Sequence, residues 1–301
     1  MAQEIIATLG TFDGVHLGHQ HLLSRLNTLA KQRGMEAAVF TFYPHPAQVL
    51  RPDAVPSLLS SQRERIERLK EQIANVHTLV FSRDLSNLSA EEFIYYLKNE
   101  YGVRGLLLGY DHRFGRGAQH SFEEYRAMGI RCGVEVWQED CYLTPDGLPI
   151  SSSRIRQLLL ENRVEAANSL LGYPYEVTGH VMGGMRIGRA MGYPTANIAP
   201  EEATKLIPAD GVYAVSVLNG GNLHYGMLYI GKRPTIDNGG YRTIEVNIFD
   251  LNADLYTKSL TLRLEAFVRA DCKFASIEEL KAQIAHDEVA IRQHFRNQGR
   301  L

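Results

Sequence analysis

Residues 10–19 read GTFDGVHLGH, and the fold is decided by what flanks them. Ahead lies a short apolar run, Ile5-Ile6-Ala7, that reads as a first strand. Behind it, Gln20–Arg33 places Leu22, Leu23, Leu26, Leu29 and Ala30 at helical spacing. A strand, a glycine-bearing turn and a helix N-terminus leave backbone N–H groups available to an anion. Gly10, Gly14 and Gly18 let the backbone come close to a ligand and take positive φ where needed. His16 and His19 are three apart, so both imidazoles lean to one side of a first helical turn. Two such donors suit the charge that builds on a phosphoryl group under attack. The plainer alternative is a turn with two solvated histidines.

Working outward, strands expected at Ala37–Phe42, His77–Phe81, Gly105–Gly109 and Val134–Gln138 alternate with helices. Those helices are headed by the capping boxes Ser61/Glu64, Ser89/Glu92 and Ser121/Glu124. The alternation predicts βαβ units and a parallel, Rossmann-like sheet. In such sheets ligands bind at the loops after the strand C-termini. Two of these loops stand out: FYPHP (42–46), with His45 held extended between Pro44 and Pro46, and GYDHRFGRG (109–117). In the second, Asp111, Arg113 and Arg116 could face a phosphate or a polar ring edge, or simply solvent. In ISSSRIR, from Ile150, Ser151 and Ser152 are good N-caps, while Arg154 and Arg156 fall in the first turn. Cations oppose the helix dipole there unless an anion occupies the helix end.

The pattern changes after Leu171, which divides the chain into 1–171 and 172–301. Gly179–Gly192 (GHVMGGMRIGRAMG) carries five glycines with Arg186 and Arg189, a composition suited to cradling phosphates or to a flexible hairpin. YPTANI follows, where Thr195 and Asn197 would point to one side of an extended segment. They offer the hard oxygens that Mg2+ prefers. Short strands expected at Gly211–Leu218, Leu223–Ile230, Thr243–Phe249 and Leu260–Val268, with Gly/Asn/Asp turns between them, predict an antiparallel β-barrel. Ser276 and Glu279 cap a terminal helix whose face Ile277, Leu280, Ile284, Ile291 and Phe295 would lie against it. Glu245 stands among apolar neighbours on a strand, where an unpaired carboxylate costs desolvation energy. It could orient a substrate hydroxyl and accept its proton.

Composition limits the alternatives. A 301-residue chain with 45% hydrophobic and 22% charged residues and a formal net charge of −2 reads as two globular domains without a broad nucleic-acid-binding face. The three cysteines, Cys132, Cys141 and Cys272, lack metal-ligand spacing. No run is long and apolar enough to span a bilayer, so the expectation is a cytoplasmic protein without membrane or nucleic-acid partners.

GTFDGVHLGH resembles the HxGH signature of the nucleotidyltransferases, and its longer form resembles the bacterial bifunctional riboflavin kinase and FMN adenylyltransferase family, also called FAD synthetase. FYPHP, GYDHRFG and ISSSRIR resemble that family's next motifs, in order. GHVMGGMRIGRAMGYPTANI, YIGKRPT (229–235), TIEVNIFD (243–250) and RADCKF (269–274) resemble those of its kinase half. The resemblance implies FMN adenylylation in the N-terminal half and riboflavin phosphorylation in the C-terminal half, with ATP as co-substrate of both and Mg2+ as the metal. It implies ATP contacts at Gly10, Phe12, Asp13, Gly14, His16, His19, Ser151, Ser152, Ser153, Arg156, Gly183, Gly184, Gly188 and Arg189. Catalytic roles fall on His16, His19, Arg154, Arg156 and Glu245, and the metal on Thr195 and Asn197. Flavin contacts fall on His45, Asp111, Arg113, Arg269 and Asp271. The sequence departs from the family pattern at His112 (usually Phe), Ser153 (Thr), Asn247 (His), Thr257 (Gly) and Asp271 (Glu).

Overall fold

The computed structural model describes residues 4–117, 119–183, 192–232, 242–251 and 253–301. Gly184, Arg186, Gly188 and Arg189, and the Arg233-Pro234-Thr235 run of YIGKRPT, lie outside them. By internal contacts the chain divides after Ser152.

The first unit alternates β1 (Ile5–Leu9), α1 (Leu17–Arg33), β2 (Glu36–Tyr43), α2 (Pro46–Leu50), α3 (Gln62–Gln72) and β3 (Asn75–Val80). It continues through α4 (Arg83–Asn87), α5 (Ala90–Tyr101), β4 (Val103–Gly109), α6 (Phe122–Cys132) and β5 (Glu135–Glu139). The strands form one parallel sheet in the order β3-β2-β1-β4-β5. Winding reverses between β1 and β4, which leaves a crevice beyond the C-terminal ends of those two strands. Alternate strand residues go to opposite faces. Ala7, Leu9, Phe40, Leu106 and Leu108 pack in one core with Phe93, Ile94 and Leu97 of α5. Ile6, Val39 and Leu107 pack in the other with Leu23 and Leu26 of α1. All three capping boxes expected from the sequence are made, each with Ser accepting from the Glu backbone and Glu accepting from the Ser backbone. His45 is extended as expected, with φ of −60° and ψ of 137°, and it is also the N-cap of α2, its Nδ1 accepting from Ala47 N–H at 3.2 Å.

The second unit opens with α7 (Ser152–Leu160, from Ser153) and α8 (Val164–Leu171). It continues through β6 (Tyr175–Met182), β7 (Ala196–Pro200), β8 (Gly211–Asn219), β9 (Asn222–Lys232), β10 (Arg242–Ile248), β11 (Ser259–Arg269) and α9 (Ile277–Asn297). The six strands close into an antiparallel barrel in the order β10-β7-β6-β11-β8-β9. Gly220 and Gly221, with φ of +57° and +90°, make the two-residue turn between β8 and β9. Such a turn requires positive φ at both central residues.

α7 and α8 pack with the barrel. Asn168 Nδ2 donates to Leu264 O at 2.8 Å and its Oδ1 accepts from Tyr175 N–H at 2.7 Å, while Ala209 N–H donates to Leu159 O at 3.0 Å. The change in sequence pattern at 171/172 therefore falls later than the change in packing. Ile291 and Phe295 of α9 are buried against Val212, Ala214 and Met227. Ile277, expected on the same face, is 66% exposed. Asp287 is buried on α9 instead, paired through its Oδ2 with Arg269 Nε at 2.8 Å. No helix among the described residues is long and apolar enough to cross a membrane.

Candidate active sites

In the first unit a cavity of about 860 Å³ opens over the β1/β4 crevice. One wall is Gly10, Thr11, Phe12, His16, Gly18 and His19, and a second is Phe42, Phe81, Leu85, Leu88, Phe93 and Phe114. The turn that builds the first wall is strained. Phe12 and Val15 have φ of +48° and +35°, a region that costs a non-glycine residue about 1–2 kcal/mol. Of its three glycines only Gly14 has positive φ, at +81°. Gly10 and Gly18 serve by size: an added Cβ would stand 3.2 Å from the Phe12 ring or 3.3 Å from the His16 imidazole.

Asp13 clamps the turn. It is 2% exposed and accepts from Leu59 N–H and Ser60 N–H, both at 3.0 Å, and from the Ser60 hydroxyl at 3.2 Å. Gly14 N–H donates to Ser60 Oγ at 3.1 Å, and Ser152 Oγ donates to Asp13 O at 2.9 Å. Neither Asp13 nor Gly14 lines the cavity. Their hydrogen bonds to Leu59 and Ser60 hold the turn that carries the cavity wall.

His16 is the N-cap of α1, its Nδ1 accepting from His19 N–H at 3.4 Å, so the neutral ring carries its proton on Nε2. The two imidazoles stack at 3.7 Å, and Phe12 meets His19 edge-on at 5.2 Å. His19 Nδ1 is buried with no hydrogen-bond partner among the described residues. Burial first, then the neighbouring His16 and His112, hold His19 well below the usual histidine range, so it is neutral near pH 7. Asp111, His112 and Arg113 also line the cavity, as do Ser151 and Ser152. Burial pushes His112 down to about 4, opposed by Asp111 and reinforced by Arg113.

In the second unit, strand register assembles the site. Glu245 of β10 stands opposite Asn197 of β7. The Thr195 hydroxyl donates to Glu245 Oε2 at 3.2 Å, and the Thr243 hydroxyl approaches Glu245 Oε1 at 3.4 Å and Gly231 O at 3.3 Å. Thr195 also lines a cavity of about 570 Å³ with Gly183, Val246, Ile248, Asp254 and Tyr256. Buried Asn247 donates to Pro194 O at 2.7 Å, pinning the chain where it enters the Thr195 segment. Thr257 takes φ of +62°, a conformation that glycine adopts without strain.

The family models that match are those described as FAD synthetase, over residues 1–154, and riboflavin kinase, over residues 171–295. The bifunctional riboflavin kinase/FMN adenylyltransferase of Escherichia coli K12 is 36% identical over 293 residues, covering 96% of this chain and 92% of that protein. This chain belongs to that family. The counterpart from Bacillus subtilis is 32% identical over 299 residues, covering 97% and 93% of the two chains. A solved Streptococcus pneumoniae structure titled a macrolide-efflux protein superposes with a TM-score of 0.87 at 33% identity, covering 97% and 95%.

Several of the expected site residues have partners within the chain. His45 caps α2 and is absent from the cavity lining. Arg269 donates to Asp287 of α9 and to Ala270 O and lies over the Phe274 ring at 5.7 Å. Asp271 hydrogen-bonds to Tyr229, whose hydroxyl pKa rises through burial first and then through Asp271. Ser153, Arg154 and Arg156 lie at the start of α7, in the second unit. The sequence reading missed the Asp13–Ser60 clamp and the part of Thr243 in holding Glu245. The first spans 47 residues and has no local signal. The second was legible as period-2 spacing on β10.

Proposed function

We propose that the two cavities divide the family's two reactions as follows. In the kinase half, Glu245 orients the ribityl 5′-hydroxyl of riboflavin and accepts its proton as that oxygen attacks the γ-phosphorus of ATP, with ADP leaving. Thr195 and Thr243 hold the carboxylate in position. The oxygens of Thr195 and Asn197 are hard donors that fit Mg2+, which when bound would neutralise phosphate charge. Gly183, Gly184, Gly188 and Arg189 are assigned to the nucleotide through the family motif. The observation that carries this reading is the antiparallel register that brings Glu245 opposite Asn197, with the Thr195 hydroxyl on its carboxylate.

In the adenylyltransferase half, a phosphate oxygen of FMN attacks the α-phosphorus of ATP and the bond to the departing pyrophosphate breaks. No covalent enzyme intermediate is needed. His16 and His19 donate N–H groups to phosphoryl oxygens, Ser151 and Ser152 line the same cavity, and the aromatic wall receives the flavin ring. Being neutral, His19 supplies a donor without the cost of burying a charge. The roles of Ser153, Arg154 and Arg156 toward the triphosphate, and a cytoplasmic setting, rest on the family resemblance. The test is a time course of riboflavin, ATP and Mg2+ with separation of the flavins. His19→Ala should stall at FMN. Glu245→Ala should leave riboflavin unconsumed yet convert added FMN to FAD. Equal loss of both steps in both variants would overturn the division.

A further inference from the structure

His112 stands where the family pattern has phenylalanine, and the roles assigned above leave it without one. It follows the C-terminal end of β4, its N–H donating to Gly109 O at 3.1 Å, on the β4 side of the crevice opened by the β1/β4 reversal. Its ring lies 5.9 Å from Phe114, tilted by 33°, and Phe114 lies 5.7 Å from Phe93, so one side of His112 meets the aromatic wall. It is also close enough to His19 for their charges to repel. His112 is therefore near both the His19 imidazole and the apolar wall of one cavity, and it lines that cavity itself.

Two imidazole nitrogens in this cavity wall are buried without a hydrogen-bond partner among the described residues: Nδ1 of His19 and Nε2 of His112. A buried polar atom without a partner costs free energy, and in a binding site the missing partner is the ligand. A phenylalanine would supply the same flat contact to Phe114 without that cost. What the histidine adds is a hydrogen-bonding nitrogen.

We infer that His112 Nε2 is a hydrogen-bond donor to the phosphate of FMN, placed to position that phosphate for attack on the α-phosphoryl group held beside His16 and His19. Only one part of the two substrates must lie between a ring site and a phosphoryl-transfer site: the phosphomonoester that joins the flavin to the reaction. The adenine and ribose of ATP lie beyond the phosphates and need not pass this point. The inference rests on the assignment of this cavity to adenylyl transfer.

The test is steady-state adenylation kinetics on the full chain, with riboflavin phosphorylation as the internal measure of folding. His112→Phe keeps the ring and removes the donor. It should raise KM for FMN about ten- to a hundredfold, the range for one hydrogen bond to a charged group. KM for ATP and the kinase rate should stay within about twofold, small against that loss. His112→Gln places an amide nitrogen near the position of Nε2 and should recover most of the loss. An unchanged KM for FMN in His112→Phe would overturn the inference, as would equal weakening of FMN and ATP. So would a His112→Gln variant as impaired as His112→Phe, since that would mean the ring matters and the donor does not. His19→Ala run alongside separates the two readings: if it leaves adenylation intact, the cavity assignment itself fails. If His19→Ala abolishes adenylation while His112→Phe changes nothing, only the role of His112 falls.

Discussion

The two halves line their candidate sites with opposite chemistry. The first unit offers nitrogen: imidazoles lining a cavity, with His19 kept neutral by burial and by its neighbours, on a turn whose strain is held by the Asp13 clamp. The second unit uses oxygen: two hydroxyls, an amide and a carboxylate, gathered at half-exposed positions by strand pairing. A donor N–H can replace water around an anion without a counter-ion, so the first site can afford to be buried. Oxygen donors repel phosphate unless a cation lies between them, so the second site is suited to one.

The largest effect should separate the halves completely. Glu245→Ala should lower the riboflavin kinase kcat by about 10²–10⁴, the usual contribution of a positioned general base. Adenylation of supplied FMN should be unaffected, as read by FAD formation. His19→Ala should lower adenylation by about 10²–10³, the loss for one preorganised donor at a developing charge. Phosphorylation of riboflavin should continue at its normal rate in the same assay.

Asp13→Ala tests whether the strained turn needs its clamp. Removing a buried acceptor of three hydrogen bonds should destabilise the first unit by about 3 kcal/mol. Adenylation should then be lost at a lower temperature than kinase activity. If both activities fail together on heating, the halves do not differ in this way. A smaller effect is expected from Thr243→Val, which removes one hydroxyl from beside Glu245 and leaves the strand shape. Kinase kcat should fall about five- to tenfold, the worth of one neutral hydrogen bond, with KM for ATP unchanged.

The smallest effect is one of pH. His19 and His112 have lower pKa values folded than unfolded, and so does His77, through burial. The unfolded chain thus binds more protons between the folded values and 6.5. Stability from these groups is full above about 6.5 and declines as pH falls toward the folded values, at up to about 1.4 kcal/mol per pH unit per group. In the second unit, Glu265 is held below the usual glutamate range by Arg300 and Ser216 against the opposing effect of burial, and Asp250 is held low by Arg292. Their contributions are lost only below the carboxylate range. Between pH 6.5 and 5 the adenylation half should therefore lose thermal stability before the kinase half, measurable as a widening gap between the two activity-loss midpoints.

What was legible in the sequence was what adjacent residues decide. A serine with a glutamate three residues on fixes a helix start by itself, and all three such boxes in the first unit formed as written. GTFDGVHLGH stated its strand–turn–helix and its paired imidazoles within ten residues, because i, i+3 geometry is local. The period-2 runs of the second half announced a barrel because alternation needs no knowledge of partners. Their order around it was another matter.

Only the folded chain could show which polar groups satisfy one another across long separations. The partners of Asp13 and Gly14 on Ser60, and of Arg269 on Asp287 of α9, have no signal in the neighbouring letters. His45 is extended between two prolines as its sequence implies, but that its ring closes the first turn of α2 shows only in the fold. The positive φ of Phe12 and Val15 ran against every local preference, because the clamp outweighs the preference of single residues. Local steric and hydrogen-bond rules are written in neighbouring letters. A buried polar atom finds its partner by tertiary packing, and where packing leaves one without, as at His112 Nε2, the structure points to the ligand.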